Sequence, residues 1–139
     1  MSGTRPAEHR GRDLDTPAEV AELVTRFYRE IAQEARFHRY FGELASVDWS
    51  VHTKVLTEYW CGLLFGGEHD DAATVIEAHR WLHDRAPFDT ELFELWLEIL
   101  RTTLEGGWSG PMAELAMRRG RGIAWAMATR FGAGAIRPG

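Results

Sequence analysis

The chain has 139 residues and a mass of 15.8 kDa, the size of one domain, and is 45% hydrophobic, enough for a core that needs neither disulfides nor a bilayer. Sixteen basic against twenty-one acidic residues leave a net charge of −5, which argues against nucleic acid as a partner. A lone cysteine permits no internal disulfide, and residues 1–13 carry Arg and Glu where a signal peptide needs an apolar run, so the expected compartment is the cytoplasm, with no membrane contact. Six Trp, seven Phe, three Tyr and six His are a surplus of flat rings and imidazoles for so small a chain.

Residues 1–13 and 132–139 lack apolar periodicity and hold Gly, Pro and Arg, so they are expected to be a disordered N-terminal tail and a flexible C-terminal tail around one domain, 14–131. Thr16-Pro17-Ala18-Glu19 opens a first helix, with Thr16 as N-cap and Glu19 reaching back in a capping box; Val20, Leu23, Val24, Phe27, Tyr28 and Ile31 then share one face. A short helical piece carries Phe37, Tyr40 and Phe41 until Gly42 breaks it. Asp48 caps the next helix, with Trp49, Leu56, Tyr59, Trp60 and Leu63 on its apolar stripe and Gly66-Gly67 as its stop. His52 falls in the middle of that stripe, and Lys54, Glu58 and Cys61 fall on the opposite side.

After a polar linker, Glu68 to Asp71, a helix places Ala72, Val75, Ile76, His79 and Leu82 on one side, and Pro87 ends it. Asp89-Thr90 caps a long helix with Leu92, Phe93, Trp96, Ile99 and Leu100 on one face, closed by Gly106-Gly107. The last helix opens near Ser109-Gly110-Pro111 and runs to about Arg130; its Gly120 and Gly122 point to close approach by another backbone or a ligand. No segment alternates with the period of a strand. The fold class is all-α, with five or six helices.

A single histidine on an apolar face is usually a hydrogen-bonded core residue, but two on separate helices ask for a shared partner. His79 and His83 have the i, i+4 spacing of zinc helices, yet no Glu follows the first, and Arg80 and Arg85 flank the pair. Cys61 has no neighbouring base to make it a nucleophile, and phosphate-cradling glycine loops are absent. A flat iron-bearing macrocycle between two helices needs one imidazole on the iron, a distal cavity with hydrogen-bond donors, and aromatic walls. The chain offers His79 or His83 as ligand, His52 with Tyr28 as distal polar groups, and abundant Trp and Phe for walls. The competing readings are a helical interaction domain whose aromatics only fill a core, and a non-haem metal enzyme built on His79 and His83.

Phe27-Tyr28 with Ile31, Asp48-Trp49-x-x-His52, Tyr59-Trp60-Cys61, Ala78-His79-Arg80-x-Leu82-His83, Phe93-x-x-Trp96-Leu97 and Trp108-x-Gly110-Pro111 follow one another in an order and spacing that resembles the group III truncated haemoglobins, the actinobacterial ones above all. The resemblance spans about residues 14 to 131. It implies a globin-like two-over-two helical sandwich holding haem b, with His79 as proximal iron ligand. Tyr28, His52 and Trp96 become the distal groups that stabilise a bound ligand, and His52 either gates the pocket or itself ligates the iron. Phe27, Phe41, Trp49, Leu56, Trp60 and Phe93 match positions that wall the haem or the core beside it. The stretch Glu68 to Thr74 departs from the Tyr and Gly-Asn-Pro turn that the family often has before the proximal helix.

The function implied is binding of O2, NO or CO at the iron, for redox chemistry such as NO detoxification or for sensing rather than for O2 transport. NO dioxygenase activity ranks above weak peroxidase activity, because no distal arginine is present. The partners implied are these small ligands and a reductase, for a chain that is a monomer or weak oligomer.

Overall fold

The computed structural model describes residues 12–44 and 48–132. The expected tails fall mostly on 1–11 and 133–139, outside the described residues. Helix α1 spans Pro17–Gln33, α2 Ala35–His38, α3 Trp49–Phe65, α4 Ala72–Arg85, α5 Thr90–Gly107 and α6 Pro111–Arg130, and no strand occurs among the described residues. The fold is all-α, as periodicity and capping chemistry require.

Oxygen side chains start four of these helices. Thr16 accepts from Glu19 N–H, Asp48 from Ser50 and Val51, Asp71 from Thr74, and Asp89 from Leu92, each satisfying donors that the first helical turn leaves unpaired. Gly66 ends α3 with φ 86°, a left-handed conformation that an L side chain resists. The capping box at α1 is not the use Glu19 finds. Its carboxylate accepts the indole N–H of Trp108 at 2.7 Å and pairs with Arg12 at 3.3 Å, so it fastens the start of α1 to the turn before α6.

Two further expectations are corrected. The short helix does not break at Gly42 but continues from α2 as a π-helical turn over Arg39–Leu44. Gly120 makes room for a side chain rather than a backbone or a ligand, because a Cβ there would lie 2.4 Å from Leu100 Cδ2. Gly122 has nothing within 4 Å of an added Cβ, so no neighbour demands its smallness.

Helix α1 packs on α3 and on α5, and α6 packs on α5 and on α3, giving two helices laid over two. This is the two-over-two sandwich that the resemblance implies. The core between the layers holds Leu14, Val20, Leu23, Val24, Phe27, Ile31, Trp60 and Leu100 at 2% exposure or less. Each such side chain contributes about 1.5–3 kcal/mol by leaving water. Helix α4 stands apart from this pattern. It packs on α6, and Ile76 is its one fully buried side chain.

Arg12 and Asp13, at the edge of the stretch expected to be a tail, are anchored. Asp13 accepts from Met112 and Ala113 N–H at 3.0 and 2.8 Å, capping α6 from the far end of the chain, and Ser109 N–H donates to the Arg12 carbonyl. Gly110, with φ 127°, lets the carboxylate in, since a Cβ at this position would meet it at 2.7 Å.

Candidate functional site

The two central imidazoles sit on consecutive helices that do not close on one another. Helices α3 and α4 each pack on α6 more than on each other, which leaves a slot between their apolar stripes. Leu56, Tyr59 and Leu63 of α3 and Val75 and Leu82 of α4 are only half-buried along it. At the end of the slot nearest the linker, Tyr59, Leu63, Val75 and Ile76 face residues of α6 across a cavity of about 270 Å³.

His79 carries the most specific geometry. Its Nδ1 lies 2.7 Å from the Val75 carbonyl, an acceptor only, so Nδ1 bears the proton and Nε2 keeps its lone pair. Burial holds the imidazole below the ordinary histidine value, against the opposing pull of that carbonyl, and it is neutral at pH 7. A neutral ring oriented by a backbone carbonyl, with the other nitrogen free, is the form in which histidine binds metal. His83 is spent otherwise. Its Nδ1 accepts the Phe88 N–H at 2.9 Å and its ring stacks on Phe131 at 4.6 Å, so it braces the turn after α4.

Across the slot, His52 meets the rings of Trp49, Tyr28 and Phe41 edge-on at 5.7, 5.9 and 6.0 Å. Phe41 and Trp49 stack at 5.2 Å and close that end. Burial lowers the His52 pKa, and the charge of His79 lowers it further.

Tyr28 lies behind His52 in the core, packed edge-on against Phe27 at 4.6 Å, and Phe27 in turn meets Trp96 at 5.2 Å. Burial pushes the phenol far above its ordinary pKa, so it stays protonated; the indole groups of Trp96 and Trp60 act on its oxygen as donors in the opposite sense.

The chain is similar to a group 3 truncated haemoglobin. It is 25% identical over 108 residues to the group 3 truncated hemoglobin ctb of Campylobacter jejuni, covering 76% of this chain and 82% of that protein. No protein-family model matches the chain, and no solved structure matches it.

The structure brings Tyr28, Phe41, Trp49 and His52 together, while His79 lies on the next long helix, α4. Phe27 and Trp60 lie deeper, at 1% and 2% exposure, with Phe27 packed edge-on against Tyr28. Phe93 packs edge-on against Phe88 at 5.7 Å, at the foot of α4, and Leu56 lies half-buried on the α3 stripe. Cys61 does not face away from the core as the wheel suggests but packs half-buried against it, where burial raises its thiol pKa. Phe88 was missed in the sequence. It touches Tyr40, His83, Phe93 and Phe131, yet it sits between helices, where no periodicity marks it.

Proposed function

We propose that the chain binds haem b in the slot between α3 and α4, with His79 Nε2 on the iron, and uses it to take up O2, NO or CO. The observation that carries this reading is a neutral His79 on α4, oriented by the Val75 carbonyl, with a second imidazole, His52, set among aromatic rings on α3. The similarity to a truncated haemoglobin supports it. When bound, the haem supplies an iron that binds diatomic ligands and changes oxidation state.

The chain's own residues decide what happens beside that iron. Tyr28, whose ring meets His52 edge-on, would supply a protonated O–H as donor on that side of the slot, with the indoles of Trp96 and Trp60 near its oxygen. A hydrogen bond from Tyr28 to a ligand with anionic character contributes about 1.5–3 kcal/mol, enough to slow release about tenfold or more. Slow release suits NO detoxification or sensing better than transport. His52, uncharged at pH 7, either gates this space or binds the iron from the second side. Turnover calls for a reductase, and the chain works as a monomer or weak oligomer in the cytoplasm.

The two competing readings find less support. No three of the described His, Cys, Asp and Glu residues stand close enough to hold a metal ion, which disfavours a non-haem centre. A pure interaction domain leaves the lone pair of His79 without a use. No described helix is long and apolar enough to cross a membrane.

Titration of the haem-free chain with haemin tests the proposal. One equivalent should give a sharp Soret band, His79→Ala should abolish the iron coordination seen in the visible bands, and His83→Ala should retain it. Absence of a Soret band in the unsubstituted chain would refute haem binding, and loss of coordination in His83→Ala alone would move the ligand to that residue.

A further inference from the structure

The cavity at the linker end of the slot has a feature that haem ligation through His79 does not use. It is lined by apolar Leu63 of α3, Val75 of α4 and Ile123 and Met127 of α6, and also by the exposed residues Arg118 and Arg119 of α6. Neither arginine makes an ion pair among the described residues. Other arginines, among them Arg26, Arg36, Arg80 and Arg101, are paired with the chain's own carboxylates and so are less available to a ligand. The lining also includes Asp70, one carboxylate against two cations.

At about 270 Å³ the space lies just under the usual range of small-molecule pockets, about 300–1,000 Å³. It suits a short apolar chain or the edge of a larger flat molecule. Apolar walls with two exposed arginines in the lining match a molecule that is greasy at one end and carboxylated at the other, because a guanidinium fork binds carboxylate in two parallel hydrogen bonds. We propose that Arg118 and Arg119 bind the carboxylate of an amphipathic acid whose apolar body lies in this cavity. That carboxylate comes either from the propionates of the haem itself, in which case the inference rests on the proposed function, or from a separate small acid.

The double variant Arg118→Gln/Arg119→Gln separates the sources, and both positions are exposed, so its helical circular dichroism should match that of the unsubstituted chain. Haemin and haemin dimethyl ester, which lacks free carboxylates, are titrated into both proteins by their Soret bands. Sodium octanoate is titrated into both by calorimetry, with and without haemin. If the propionates are held, the unsubstituted chain prefers haemin over its ester by about tenfold and the variant has no preference. If a separate acid is held, octanoate binds the unsubstituted chain about tenfold more tightly than the variant, with haemin present as well as absent. Equal behaviour of the two proteins in both titrations overturns the proposal. Failure of haemin to bind the unsubstituted chain defeats the haem reading instead, and octanoate alone then decides this one.

Discussion

Tyr28 takes a polar oxygen into the core at 7% exposure, and the nearby indoles of Trp96 and Trp60 oppose the effect of that burial only in part. This changes what Trp96 is expected to do. A donor engaged with Tyr28 works on a bound ligand through Tyr28. On the haem-loaded chain, Tyr28→Phe should raise the O2 dissociation rate about tenfold, and Trp96→Phe should raise it less. Adding Trp96→Phe to Tyr28→Phe should then change little, a non-additivity that flash photolysis can measure; additive effects would show two independent donors. His52 and His79 were legible because an imidazole on an apolar stripe is conspicuous. The employment of Trp60 and Trp96 was not, since indoles at helical spacing look the same whether they fill a core or hold a hydroxyl.

At the scale of elements, α4 is the least secured of the long helices. One fully buried side chain in a helix spanning Ala72–Arg85 is little, because helices of this length persist mainly through tertiary packing. By contrast α1 buries Val20, Leu23, Val24, Phe27, Tyr28 and Ile31. Amide exchange of the haem-free chain should therefore be fast over 72–85 and slow over α1 and α5, and haemin should slow the first selectively. Uniform protection before and after haemin would show that α4 needs no partner in the slot. The helices themselves were readable from caps such as Asp48, Asp71 and Asp89, whose short carboxylates have a local job. The π-helical turn at Arg39–Leu44 was not, because aromatics at 37, 40 and 41 satisfy an α-helical spacing equally well. The two-over-two layering came from the family resemblance, since no local pattern states which helix crosses which.

For the molecule as a whole, acidity reads out the slot. Burial holds His52 and His79 below the ordinary histidine pKa, so between their folded values and about 6.5 the unfolded chain binds more protons. The stability of the haem-free chain is thus full above about pH 6.5 and falls as pH drops through that value. The urea midpoint should be lower at pH 5.5 than at pH 7.5, and His52→Gln/His79→Gln should flatten the difference. The carboxyls of Asp48, Asp71, Glu77 and Glu98, held below their ordinary values by hydrogen bonds, act only at lower pH, under about pH 4.5, and do not blur this window. A midpoint that rises on acidification, or no change, would contradict the burial of both rings.

The contact of Asp13 with Met112 and Ala113 joins residues about a hundred positions apart in a helical protein whose other contacts are mostly near in sequence. The last helix thus receives its cap only when the two ends of the domain meet, a closure whose entropy is recovered late in folding. An Asp13→Ala chain should accordingly fold at nearly the unsubstituted rate and unfold faster, by about fivefold for a lost cap of about 1 kcal/mol, in stopped-flow denaturant jumps. The stretch of chain before α1 is then a clasp, and what it sets is how long the folded molecule lasts rather than how soon it forms.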